Sequence, residues 1–284
     1  MRRSGCFLPL LILFIASALY VGGDGGADDW SRNPRRPAEE GAQISPPPGP
    51  ERLPPPSIDS GRLPEFGIEE PGRKQDSQGT GFAVSSEGIW LTAEHVVTRC
   101  DRVGIATGEQ RAERAGRIFE SQVSDAAVIT GGLEAGTILA LSSVVPREGD
   151  DGYHMGFPHG EPAVVHSRFM GRGHAVRPGR SEAVLAWAEV ERFPDFEHEL
   201  GGISGGPTLD ASGRVIGINS AAGERRGRIL TTDPSAAINL LQASRLPAAG
   251  RLAAPIADAA AAAVRFRDLI ATGAIRQVYC DVFE

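Results

Sequence analysis

Gly202-Ile203-Ser204-Gly205-Gly206-Pro207 sets a serine between glycines. A hydroxyl on so tight a turn can attack a carbonyl carbon. The oxyanion that results needs donors roughly 2.7–3.1 Å away. The backbone N–H groups of Gly202 and Ser204 are the candidate pair, because no glycine side chain obstructs them. A turn of structural use only is the plain alternative for these six residues. A serine hydroxyl is a weak nucleophile near neutral pH and needs a base. Thr92-Ala93-Glu94-His95-Val96-Val97 offers His95 where the apolar stretch Ile89–Leu91 ends. An imidazole base in turn needs an acceptor that fixes its tautomer and supports its cation. Asp125, opening Ser124-Asp125-Ala126-Ala127-Val128-Ile129, is the candidate. Alone, the histidine reads as a surface or core residue and the aspartate as a turn residue. In the order His95, Asp125, Ser204 they describe acyl transfer through a covalent intermediate.

Other side chains carry less. His154, His159, His166, His174 and His198 show no metal-ligand spacing, and the chain has no C-x-x-C pair. No cofactor is implied, since this chemistry requires none. Arg172, Arg177 and Arg180 form a basic, glycine-containing stretch that reads as a solvated loop, and Glu94 reads as a solvent-facing neighbour of His95. The net charge of −7 over 284 residues supplies no basic excess to neutralise phosphates, which argues against nucleic acid as a partner. Protein or peptide substrates are the expected partners.

The elements that must hold these groups are short strands. From Gly79 onward, apolar stretches such as Phe82–Val84, Ala126–Ile129, Ala163–Val165, Val184–Ala188 and Val215–Ile218 alternate with Gly, Asp, Ser and Pro turns. That texture predicts an all-β sandwich or barrel rather than a parallel sheet. Helices are confined to the C-terminal part. Asp233-Pro234 opens one that runs through Leu241, and Pro255 opens an alanine-rich one to about Ala271, stopped by Gly273. Val278, Cys280 and Val282 then alternate like a short strand.

Ahead of this region, residues 24–75 are rich in proline, as in Pro46-Pro47-Pro48-Gly49-Pro50, and poor in large apolar residues. They read as a disordered, stiff spacer. Residues 1–23 read as a leader: Arg2 and Arg3 precede an apolar run from Cys6 to Val21 with Ala16-Ser17-Ala18 as a cleavage site. An uncleaved membrane anchor is the alternative; both place the rest of the chain outside the cytoplasm. Cys100 and Cys280 remain beyond the leader. They are either a disulfide formed in an oxidising compartment or two buried thiols.

The order His, Asp, Ser is the chymotrypsin order and differs from the α/β-hydrolase and subtilisin orders. The chain resembles trypsin-like serine peptidases, and among them the bacterial HtrA/Deg protease domains. The matching pieces are Gly79-Thr80-Gly81-Phe82, Thr92–Val97, Asp125–Val128, Gly156-Phe157-Pro158, Gly202–Pro207 and Gly213-Arg214-Val215-Ile216-Gly217-Ile218-Asn219. They span roughly residues 76 to 243.

The resemblance implies a double six-stranded antiparallel β-barrel, chymotrypsin-like, with short C-terminal helices. The protease domain would cover 76–246, with an alanine-rich helix and tail over 247–284. It implies a serine endopeptidase in which His95 is base and then acid, Asp125 orients it, and Ser204 forms the acyl-enzyme over a Gly202/Ser204 oxyanion hole. It implies Asn219, Ser220 and Ala221 along the S1 pocket and, since none is charged, small or medium uncharged P1 residues. Ile203 stands where trypsin-type zymogens carry an aspartate, so activation by a freed N-terminus is not expected. The roughly 40 residues after Leu241 are too few for the PDZ module of full-length HtrA proteins. A catalytically silent protease fold used for binding, and a non-peptidase acyl hydrolase, are the competing readings.

Overall fold

The computed structural model describes residues 63–68, 75–108, 111–131, 133–177, 179–222, 227–248, 250 and 254–283. The expected leader and most of the expected spacer lie outside them. Among the described residues no helix is long and apolar enough to cross a membrane. The first element, β1 (Glu65–Gly67), falls within the stretch expected as spacer. Then come β2 (Ser77–Ser85) and β3 (Ile89–Thr92), a hairpin that turns at Gly88 with a φ of 77°. The short helix α1 (Glu94–Val97) leads into β4 (Arg102–Gly108), β5 (Arg111–Arg114), β6 (Arg117–Glu120) and β7 (Ala127–Thr130).

A second set follows: β8 (Asp151–Gly156), β9 (Ala163–Arg177), β10 (Arg180–Phe193), β11 (Pro207–Leu209), β12 (Val215–Ala222) and β13 (Arg228–Thr232). They hydrogen-bond in the order β9-β10-β13-β12-β11-β8, and β8 pairs back onto β9 to close a six-stranded antiparallel barrel. The short β1 runs parallel to β9 outside the ring, with Phe66 opposite Ala175. Inside the barrel, Val165, Leu185, Trp187, Ile216 and Ile229 form the core.

Two helices and a strand complete the chain. α2 (Pro234–Ala243) is capped by Asp233, which accepts from the Ser235 N–H at 3.0 Å. α3 (Ala259–Ala271) begins four residues later than Pro255, because Asp258 supplies the cap, accepting from the Ala261 N–H at 2.7 Å. Gly273, at φ 71°, ends it and turns the chain into β14 (Ile275–Asp281).

The tail expected after the protease domain is therefore a barrel element. β14 lies antiparallel between β2 and β4, giving the first sheet the order β5-β4-β14-β2-β3-β7-β6. Ile275, Val278 and Cys280 of this strand are buried. The two edge strands of that sheet, β5 and β6, are joined by Ala115 and Gly116. The Ala115 N–H donates to Val103 O in β4 and the next N–H, of Gly116, to Thr130 O in β7, so the sheet curls round until its edges share one bend. Phe82, Trp90, Leu91, Ile105 and Ile129 fill the core, and α3 adds Phe266 and Leu269. Each such fully buried side chain contributes roughly 1.5–3 kcal/mol.

Cys100 and Cys280 are bonded, with Cα atoms 5.3 Å apart, which resolves the choice left open by the sequence. The bridge ties the segment after α1 to β14 across a sequence separation of 180 residues. Reduction, or Cys280→Ser, is expected to lower unfolding stability by about 2–5 kcal/mol. Urea midpoints with and without reductant measure it, and coincident midpoints would refute it.

A polar cluster sits inside the closed barrel. His154 is fully buried, with Nδ1 2.9 Å from both Asn219 Oδ1 and Thr208 Oγ1 and Nε2 2.6 Å from Ser167 Oγ. Burial holds its pKa down at about 4. The unfolded chain takes up this proton below pH 6.5, whereas the folded chain refuses it until about 4. Stability is thus complete above pH 6.5 and falls on acidification toward pH 4, by about 3 kcal/mol in all. His154→Gln should flatten that part of the stability–pH curve.

Candidate active site

β3 and β7 are antiparallel neighbours, with Thr92 opposite Ala127. His95 follows that pair by three residues and Asp125 precedes it by two, so both emerge at the same end of the sheet. α1 places His95 on the rim. Ahead of Asp125, the Ser121 hydroxyl accepts from the Val123 and Ser124 N–H groups at 3.3 and 3.1 Å, closing a local turn. Asp125 Oδ2 lies 2.8 Å from His95 Nδ1, and Oδ1 accepts from the His95 backbone N–H at 3.0 Å. The carboxylate is fully buried, while 32% of the imidazole surface is exposed.

Behind Asp125 lies a network that the sequence did not reveal. Ser220 Oγ donates to Asp125 Oδ2 at 2.5 Å and Arg177 Nη2 donates to the same oxygen at 2.8 Å. Arg177 Nε donates to Glu182 Oε1 at 2.9 Å, and Glu182 Oε2 accepts the Asp125 backbone N–H. Arg180 donates to Glu94 Oε2 at 3.0 Å, and Thr98 Oγ1 to Glu94 Oε1 at 2.7 Å. The expected solvated arginine loop is thus the turn of the long β9–β10 hairpin, folded back onto the first sheet. Glu94 is paired rather than solvent-facing. Of that stretch, Arg172 reaches Asp233 at 2.8 Å at the exposed surface. Close basic spacing was the available signal, but solvated and buried arginines look alike in a sequence.

The charges set the proton affinities. Burial disfavours the imidazolium of His95, but the charge and hydrogen bond of Asp125 outweigh it, and the pKa stands above 6.5 despite opposition from Arg177. Burial alone would raise Asp125; His95, Arg177 and Ser220 instead hold it well below the carboxylate range. Glu182 is pushed up by burial and by Asp125.

Ser204 lies on the loop between β10 and β11 and lines the same cleft as His95 and Gly202, a space of about 300 Å³. Its Oγ is turned toward Ser220 O at 3.5 Å. Thr80 of β2 grips this loop: its N–H donates to Ser204 O at 2.8 Å and its hydroxyl to Gly202 O at 2.8 Å. Ile203 packs into the barrel core among apolar side chains such as Leu200 and Ile216.

The turn before Ser204 closes with the Ile203 N–H on Leu200 O at 3.0 Å and needs φ 102° at Gly202, where a Cβ would stand 2.4 Å from Phe157 O. Gly201 O accepts from the His159 N–H at 2.8 Å. In a trans peptide the C=O and the following N–H point opposite ways, so this bond turns the Gly202 N–H away from the Pro158–Gly160 turn. Among the described residues, neither the Gly202 nor the Ser204 N–H donates to a protein acceptor.

The residues expected along S1 lie on β12. Asn219 points its side chain inward to His154 and Thr208, Ser220 to Asp125, and Ala221 packs beside Leu230 and Ala186. None of the three lines the cleft shared by His95 and Ser204. The polar groups of Asn219 and Ser220 find buried partners, which a strand reading treats as cleft-facing.

The sequence model of the trypsin-like peptidase domain matches residues 79–218. A Hahella chejuensis protein named as a DegP-like periplasmic serine endoprotease is 28% identical over 156 residues, 55% of this chain and 32% of its own. The Synechocystis protein named as serine protease HhoA is 30% identical over 162 residues, 52% of this chain and 38% of its own. The chain spans about a third of the length of these curated relatives. The solved HtrA-type protease AlgW with a decapeptide aligns at TM-score 0.49 and 24% identity, over 58% of this chain and 50% of that one. Over residues 79–218 the chain matches the trypsin-like peptidase domain, and it is similar in sequence to serine proteases of the DegP and HhoA kind.

Proposed function

We propose that this chain is a serine endopeptidase using His95, Asp125 and Ser204, with the Gly202 and Ser204 N–H groups as oxyanion hole. The observation that carries the reading is His95 Nδ1 at 2.8 Å from a fully buried carboxylate, on a cleft that Ser204 also lines. Ser204 Oγ attacks the peptide carbonyl while its proton passes to His95 Nε2. Asp125 holds Nδ1–H and balances the imidazolium. The two N–H groups meet the oxyanion, His95 then protonates the leaving amine, and water enters to release the acyl group by the same steps. The substrates are proteins or peptides. The S1 wall is assigned to the strand 219–221, with small or medium uncharged P1 residues preferred because that strand presents no charge; a P1 library favouring Arg, Lys or Glu would overturn this.

The site of action is outside the cytoplasm. The basic-apolar N-terminus of residues 1–23, the Cys100–Cys280 bond and the periplasmic naming of the DegP-like relatives support this. Residues 24–75, apart from the β1 segment that pairs with β9, serve as the spacer between the leader and the protease domain.

A fluorophosphonate probe should label the chain, and Ser204→Ala should abolish labelling. The rate should climb with pH along a limb whose midpoint lies above 6.5, since His95 must be neutral to act. Gly202→Ala, whose Cβ would press on Phe157 O and shift the Gly202 N–H out of place, should lower kcat by about 10²–10³. The Ser204 hydroxyl turned toward Ser220 O favours a second reading, a silent binding module. Peptide binding without labelling would support that reading and defeat the first. Turnover of small esters with none of any protein would instead mark an acyl hydrolase.

A further inference from the structure

The β9–β10 hairpin carries a buried charge pair that the reaction as drawn does not use. Arg177 is 3% exposed and Glu182 fully buried, they are paired with each other, and both meet Asp125. Arg177 bonds the carboxylate, and Glu182 takes the backbone N–H of the same residue. Both Glu182 oxygens accept, one from Arg177 Nε and one from Asp125 N, so the group has no bound proton to donate and is a carboxylate. We propose that Arg177 and Glu182 are positioning residues that fix Asp125 against His95 and leave the buried cluster with one uncompensated negative charge, which the proton arriving on His95 neutralises. Asp125 and Glu182 are negative and Arg177 positive, so these three described groups carry a net charge of minus one when His95 is neutral.

The inference rests on the peptidase reading for the origin of that proton. In the step concerned, the Ser204 O–H bond breaks as an N–H bond forms at His95 Nε2, and the electron pair of the O–H bond goes to the new C–O bond. Arg177 alone would oppose the imidazolium and weaken the base. Glu182 offsets this, so the cluster gains an anchor for Asp125 without losing the driving force for proton transfer. The charged groups facing His95 are Asp125 from the turn before β7, Arg177 from β9, Glu94 from α1, paired with Arg180 of β10, and Arg99, which lines the cleft. Glu182 does not line the cleft, so its charge can be removed without touching it.

The test reads His95 directly. The imidazole is titrated by NMR in the full chain carrying Ser204→Ala, and the acid limb of kcat/KM is measured in the Ser204 chain. Glu182→Gln should lower the His95 midpoint by roughly one pH unit. Adding Arg177→Met restores the single negative charge and should bring the midpoint back toward the parent value. Glu182→Met serves as a second neutral replacement if the amide does not fold. A Glu182→Gln midpoint at or above the parent's, or a double variant that keeps the lowered midpoint, overturns the proposal. A purely structural role would lower kcat without this paired shift. If the parent cleaves no peptide, the peptidase reading fails, while the titration still decides the proposal.

Discussion

A carboxylate taken wholly out of water costs several kcal/mol unless donors replace its hydration. The donors to Asp125 come from three separate stretches of chain. His95 gives a ring and a backbone N–H from the first sheet, Ser220 a hydroxyl from β12, and Arg177 a guanidinium from the end of β9. The site exists only where the two sheets meet, and the ionised aspartate is what requires them to meet there. Misplacing either sheet would leave a buried charge without partners, a larger loss than any single bond in the network.

The nucleophile loop obeys the same logic in reverse. It belongs to the closed barrel, between β10 and β11, yet two of its carbonyls are held by Thr80 from the first sheet. The acid–base pair leans on the second barrel and the serine leans on the first sheet. Each half supplies the other's missing hydrogen bonds, which makes the geometry of the cleft a property of the interface and not of either half.

Sequence reading located the strands, both C-terminal helices and the order His95, Asp125, Ser204, because apolar alternation, caps and glycine-flanked serines are local signals. It set β14 aside as a tail, since nothing in Ile275–Asp281 says which strands it will join. Pro255 looked like a helix start, but the aspartate three residues on provided the cap. Arg177, Arg180 and Glu94 were misread because charge alone does not tell a solvated side chain from one whose counter-charge arrives from 50 or more residues away.

The placement of β14 carries a consequence for biosynthesis. The sheet that bears His95 has its middle filled by a strand the ribosome makes only after every other described strand. Until that segment emerges, β2 and β4 expose unpaired edges and the histidine has no finished floor. Pairings of such long sequence separation form late and slowly. A chain still being made therefore lacks the finished sheet on which His95 sits, and the candidate site is completed only with its last strand.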